Sequence, residues 1–348
     1  MSSEGFRFNF DEGDDGGNVA WLPPPLRRRS PSADTGAVPA VLVSRFPTYA
    51  LRAQLVKEWA ECYPKDPRRR MELVSSAAGK HFPPLLYQRA PDVSGLTSDG
   101  GNLERRDIIP GKYYGGLKVW SCAPYLVEYM FENRDTFGRL FEVPEKCLDT
   151  SAKNTSPESF AENAVVAPLV AEVGCGQGLP GIAALLLGAR RVIFQDYNEE
   201  VLQTCVKPNI AVNWLRHAED APLCGLQPPA PPLVQMVSGD WSHLRWEAAG
   251  DGGTAMAHDA CCRVVLGSDV TFDEAACEKL AAMLDRGLSP AGGVAYIASK
   301  QYYFGTNGGA LEFQKRAADH GLEVAEVSRM DEAGGMQRLI MRVRRRCG

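Results

Sequence analysis

The chain has 348 residues with 38 Lys and Arg against 43 Asp and Glu, a formal net charge of −5 that argues against indiscriminate nucleic-acid binding. That length buries one large core with extensions or two modest domains. The longest apolar run, Ile182 to Leu187, is far too short for a bilayer span, and Met1-Ser-Ser-Glu-Gly5 lacks the features of a secretion signal, so a protein of the cytoplasm and nucleus is expected. The ten cysteines are scattered without a C-x-x-C pair, which points to free thiols and no metal site.

In chain order, residues 1 to about 40 are rich in Gly, Pro, Ser and Asp and bury too little to order themselves. The exception is the alternating strip Phe6-Arg-Phe-Asn-Phe10, the kind that docks on a domain or a partner. A helix is expected over Tyr49–Tyr63 and linker over 76–105, giving an irregular N-terminal extension, 1–105, before a main domain, 106–348. Three arginine runs, 27–29, 68–70 and 344–346, read as solvated surface, a nuclear-import signal, or a contact to an RNA-rich partner.

Order resumes at Ile108, and Ser121 is placed to cap a helix running to about Phe131 with Leu126, Tyr129 and Met130 on one face. Residues 132–163 read as a charged insertion, and 219–232 and 247–259 as loop insertions. Between them strands are expected at 168–173, 191–195, 233–238, 262–267 and 292–298, and helices at 179–187, 199–206, 273–286 and 308–320. The closing segments 322–327 and 337–343 flank Asp331-Glu-Ala-Gly-Gly335 as a hairpin. The class is α/β, with a Rossmann-like, mainly parallel sheet and one antiparallel strand near the C-terminus.

The chemistry concentrates at Glu172-Val-Gly174-Cys-Gly176-Gln-Gly178-Leu-Pro-Gly181, a strand that breaks into glycines and opens a helix. Such a loop lets a polar ligand approach the backbone, and Asp196, twenty residues past Gly176, is placed to grip a ribose. The pattern alone fits NAD as well as S-adenosylmethionine. Glu172 favours the latter, because a carboxylate there suits the ammonium of a methionine and repels a pyrophosphate. Gly239-Asp240-Trp241 offers an acceptor and a ring for adenine, and Ser268-Asp269 puts polar groups at the next strand tip. No convincing Tyr-x-x-x-Lys or His dyad of a nicotinamide enzyme is found.

The ordered series Ile109-Pro-Gly, Gly115-Gly-Leu-Lys-Val-Trp120, the glycine loop, Phe194-Gln-Asp-Tyr-Asn198, Gly239-Asp-Trp241, Ala298-Ser-Lys-Gln-Tyr-Tyr-Phe-Gly305 and Phe313-Gln-Lys315 resembles the histidine protein methyltransferase 1 homologues, within the seven-β-strand methyltransferases. The Phe6–Phe10 strip resembles that family's aromatic N-terminus, and Asp269-Val-Thr-Phe272 the acidic-x-x-aromatic signature of a wider group of protein methyltransferases.

The resemblance implies transfer of a methyl group from S-adenosylmethionine to the τ nitrogen of a histidine in a large-subunit ribosomal protein, the one numbered three, by a monomer that contacts no membrane. It implies a cofactor set of Trp120, Ser121, Cys122, Glu172, Gly174, Gly176, Gly178, Gln195, Asp196, Tyr197, Asn198, Gly239, Asp240, Trp241 and Ser268. Asp269 is expected to accept from the π N–H of the target ring, with Phe272 and Tyr303 as apolar walls. A protein-lysine methyltransferase and a non-catalytic ribosome-assembly factor are the alternatives.

Overall fold

The computed structural model describes residues 43–75, 84–93, 95–97, 107–142, 167–220, 231–246, 261–331 and 336–346. The Phe6–Phe10 strip, Arg27–Arg29, residues 143–163 and 247–259, most of 219–232, and the tip of the closing hairpin lie outside them.

The near-continuous apolar runs at the centre of the chain become parallel strands buried on both faces, as such sheets require. They are β5 (Leu169–Val173), β6 (Arg191–Asp196), β7 (Leu233–Ser238), β8 (Val264–Ser268) and β9 (Val294–Lys300). The last two long strands, β10 (Leu322–Met330) and β11 (Arg338–Arg345), form the expected hairpin, and β11 inserts antiparallel between β9 and β10. A register shift between Glu326 and Ser328 bulges β10.

Two short strands, β1 (Ser44–Arg45) and β2 (Tyr49–Ala50), add antiparallel to the free edge of β7. The long strands run in the order β7-β6-β5-β8-β9-β11-β10, the seven expected from sequence, and the two short ones bring the sheet to nine.

Strand alternation sorts the core into two layers. On β5, Leu169, Ala171 and Val173 face one layer with α6 (Glu274–Gly287) and α7 (Ala310–Asp319). Val170 faces the other, with α2 (Cys122–Glu132), α3 (Arg134–Phe141) and α4 (Leu179–Leu186). All eight residues of α4 are buried, because it lies between the sheet and α2.

Four expectations change. Residues 132–163 begin with the packed helix α3, whose Phe137 is buried and meets the Tyr296 ring at 4.8 Å. The segment 76–105 is not all linker, since β4 (Leu85–Gln88) pairs with β3 (Arg70–Leu73). The helix expected over Tyr49–Tyr63 is shorter, α1 (Ala53–Glu61), because Tyr49–Ala50 pair with β7, and it packs against the helix following β6.

That helix, expected to stop at 206, is α5. It runs as Glu199–Val201, a π-helical stretch Leu202–Val206, and Lys207–Asp220. Pro208 has no N–H for the carbonyl four residues back, Thr204. The Gln88 side-chain amide donates to that carbonyl at 2.8 Å, so the proline does not end the helix. Lys207 lies 5.6, 5.9 and 5.7 Å from the ring centres of Phe46, Tyr49 and Trp59, a cation–π contact that ties α1 and its neighbours to α5.

Among the described residues, no helix is long and apolar enough to cross a membrane. The described cysteines are free thiols.

Candidate functional site

The strand order turns at β5, whose neighbours β6 and β8 lie on opposite sides, and a ligand crevice is expected at the carboxyl ends there. A cleft opens at that place, with about 960 Å³ of free space including its mouth. Its wall combines the glycine loop after β5, the tips of β6, β7 and β8, and the Tyr114–Trp120 segment.

The Gly115-Gly116 pair lets that segment cross the glycine loop backbone to backbone. Gly116 (φ +100°) and Gly176 (φ +51°) both sit in the left-handed region. A Cβ on Gly176 would lie 3.1 Å from the Gly116 Cα, and one on Gly116 3.3 Å from Asp196 Oδ2. Gln177 turns inward between them: its amide donates to Leu117 O and Gln88 O, both at 2.7 Å, and its oxygen accepts from Gln88 N–H at 2.9 Å.

Asp196 faces the cleft at the tip of β6. Its Oδ2 accepts from Gly176 N–H at 2.9 Å and its Oδ1 from Asn198 N–H at 3.1 Å. Burial raises its pKa to about 6 in spite of those amides. Asp240 also faces the cleft. Its Oδ2 meets Lys279 Nζ at 2.6 Å and its Oδ1 accepts from Ser242 N–H at 2.8 Å. Burial works against the charged form here, yet the Lys279 ammonium and the Ser242 contacts outweigh it and hold the carboxyl below its usual range.

Aromatic rings line the mouth. Tyr114 meets Tyr197 edge to face at 4.7 Å and Phe272 at 6.0 Å, and Trp120 meets Phe272 edge to face at 6.4 Å. Asp269 lies beside Phe272, in the left-handed region at φ 55°, a conformation aspartate tolerates better than most residues. Its Oδ2 accepts from Cys122 N–H and its Oδ1 from the Tyr303 hydroxyl, both at 2.8 Å. Burial, then the charge of Asp269, push the Tyr303 phenol well above its ordinary pKa, so it stays a donor.

Of the residues expected to hold cofactor, Trp120, Gly174, Gly176, Gly178, Asp196, Tyr197, Gly239, Asp240, Trp241 and Ser268 line the cleft. The others stand behind it. Gln195 is buried and ties three strand tips: its oxygen accepts from Gly174 N–H (3.2 Å) and Trp241 Nε1–H (2.7 Å), and its amide donates to Gly239 O (2.9 Å). Asn198 donates to Lys112 O at 2.7 Å and braces the segment entering the site. Ser121 makes no cap hydrogen bond to the helix; its hydroxyl accepts from Arg338 Nε at 3.0 Å. Cys122 contributes its backbone amide to Asp269, and its thiol is buried.

Glu172 does not line the cleft. Alternation along β5 turns it to the same side as Val170, under α4, where its Oε2 accepts from Gly181 N–H at 2.8 Å. Burial pushes its carboxyl well above the usual range, with the Gly181 amide opposing. Gly181 must lack a side chain there, since a Cβ would meet Phe194 at 2.4 Å and Glu172 Oε2 at 2.7 Å. Tyr303 lies beneath Asp269 and outside the cleft lining, whereas Phe272 lines the cleft.

Sequence reasoning missed Lys279, which enters from α6 with no motif around it, and Tyr114, which stood in plain view beside Gly115.

A family profile described as "Lysine methyltransferase" matches residues 111–225, the cleft segment through α5. The curated relatives carry a different target in their names. A histidine protein methyltransferase 1 homolog of Dictyostelium discoideum is 30% identical over 215 residues, 61% of this chain and 52% of the relative. That of Rattus norvegicus is 29% identical over 254 residues, 69% and 59%. The chain therefore spans between half and three-fifths of the length of these relatives.

Among solved structures, a magnesium protoporphyrin IX methyltransferase from Synechocystis PCC 6803 is 13% identical, covers 65% of this chain and 89% of that one, and has a TM-score of 0.35. Motif order and the curated matches agree: over most of its length the chain is similar to the histidine protein methyltransferase 1 homologues.

Proposed function

We propose that the protein is an S-adenosylmethionine-dependent protein-histidine methyltransferase, acting on the τ nitrogen of a histidine in a large-subunit ribosomal protein. The observation that carries it is Asp269: a carboxylate fixed from behind by Cys122 N–H and Tyr303 O–H, beside a cleft walled by Trp120 and Phe272.

The residues fit the cofactor. Asp196 presents a carboxylate suited to a ribose diol, Asp240 and Trp241 suit an adenine edge and face, and the rings of Tyr114, Tyr197 and Trp120 suit a cationic sulfur. Bound there, S-adenosylmethionine supplies an electrophilic methyl group.

The chain's own part is orientation and proton placement. Neutral imidazole, with a reference pKa of about 6.5, already carries a nucleophilic nitrogen near neutral pH. The Asp269 carboxylate keeps acceptor capacity beyond the hydrogen bonds it takes from Cys122 N–H and Tyr303 O–H. Accepting from the π N–H, it holds the tautomer whose τ lone pair is free, and as the ring gains positive charge the carboxylate stabilises it. Trp120 and Phe272 fix the ring plane, and positioning supplies most of the rate. The enzyme works as a monomer in cytoplasm and nucleus, where its substrate is made and assembled, and contact with pre-ribosomal RNA accompanies that substrate.

The test is in vitro methylation of purified large-subunit ribosomal proteins with site mapping by mass spectrometry. Methyl groups on a histidine τ nitrogen support the reading, and methyl groups on lysine alone overturn it. The lysine reading has its own support in the description of the matching family profile.

A further inference from the structure

The tripeptide after β9 faces two ways. Tyr303 is buried and holds Asp269, whereas its neighbours Tyr302 and Phe304 are 49% and 68% exposed. Their rings meet edge to face at 5.2 Å and form a small apolar platform. Leu311, on the first turn of α7, is 66% exposed. Among the described residues four large hydrophobic side chains are this open to solvent, and three of them lie in this one stretch. Scattered singly such residues need no explanation, but a cluster does.

The platform is joined to the cleft rim by main-chain anchors. Thr306 Oγ1 donates to Phe272 O at 2.6 Å, and Gly309 N–H donates to Thr271 O at 2.8 Å. Arg316, on the same helix as Leu311, faces three carboxylates, those of Glu274, Glu278 and Glu312.

We infer that Tyr302, Phe304 and Leu311 dock the polypeptide substrate, through an apolar residue flanking the target side chain. The inference rests on the proposed protein-methyltransferase activity. Continuity with the cleft selects this occupant, because a chain whose target side chain reaches Asp269 must cross the rim that Phe272 and Thr306 share. The exposed aromatic pair offers large contact area at small cost in side-chain entropy.

The experiment uses the full chain and the ribosomal protein that the wild type methylates in the panel above. Tyr302→Ser with Phe304→Ser is expected to raise KM for that protein about tenfold or more, a typical loss for a central aromatic contact. Affinity for S-adenosylhomocysteine should stay within about twofold and kcat within about threefold, and Leu311→Ser alone should raise KM in the same direction. Because these side chains are exposed, thermal melts should match wild type to within a few degrees.

An unchanged KM in both variants overturns the docking surface. If the wild type methylates nothing in the panel, the activity beneath the inference falls, and the docking surface with it.

Discussion

Tyr303 and Asp269 form a buried pair in which the phenol donates to carboxylate Oδ1 at 2.8 Å from beneath the cleft. The phenol meets the carboxylate on the oxygen that the Cys122 amide leaves free. The carboxylate is thereby aimed by a strand-tip loop and a helix start that lie far apart in sequence. Tyr303→Phe should leave affinity for S-adenosylhomocysteine within about twofold and lower turnover of the protein substrate about tenfold, an orientation effect. It should also cost about 1–3 kcal/mol in denaturant unfolding, the penalty for an acceptor stripped of its donor. Unchanged turnover would remove Tyr303 from any positioning role.

Gly116→Ala puts a methyl group against Val201, the Gly176 backbone and Asp196, at a φ of +100°. Titration calorimetry with S-adenosylhomocysteine should show affinity down about tenfold or more, because the glycine loop and the carboxylate must both shift. Gly188→Ala, at the same φ but with open space around it, is the control. It should cost about 1 kcal/mol of stability and leave affinity unchanged.

The Asp196 carboxyl titrates at about 6, raised by burial. Hydroxyls donating to it favour the ionised form, so cofactor affinity should fall as pH drops below about 6, approaching tenfold per unit. Binding near pH 5.5 should release protons, seen as a dependence of binding heat on buffer ionisation enthalpy. Stability moves the opposite way. The folded state holds this proton more tightly than the unfolded state, so the group's contribution is full below about pH 4 and is lost as pH rises through 6. Asp196→Asn should abolish both dependences, and a wild type with flat affinity from pH 5 to 7 would contradict the assignment.

Gln88→Ala removes the amide that serves Thr204 O in place of the missing Pro208 N–H. Stability should fall by about 1–3 kcal/mol. Replacing Pro208 by Ala in the same background should recover part of that loss, since the alanine amide can serve the carbonyl itself. Denaturant midpoints of the two variants decide it.

The parallel strands and the glycine loop were legible because long apolar runs and a strand-glycine-helix junction are local signals. The inward turn of Glu172 was legible as well, since it shares a strand face with Val170, but the chemistry of an acidic residue before glycines drew attention away from alternation. The capping of α2 was not legible. Ser121 looks like the cap, yet the first amide goes to Asp269, which lies far along the chain. The length of α5 was hidden for the same reason: Pro208 signals a stop, and what cancels the signal is a glutamine from β4. Lys279 reaches Asp240 only because α6 packs beside the tip of β7. Local pattern finds the scaffold, and the contacts that tune the site are long-range.

The two margins of the sheet are guarded differently. On one side β1 and β2 cover β7 with two residues each. On the other, β10 carries Glu323, Glu326 and Arg329 along its length and is bent by the bulge between Glu326 and Ser328. Kinked, charged margins resist lateral growth of the hydrogen-bonded ladder by a foreign strand. A visiting polypeptide is thereby denied backbone pairing as a foothold, and recognition falls to the side chains it presents at the cleft.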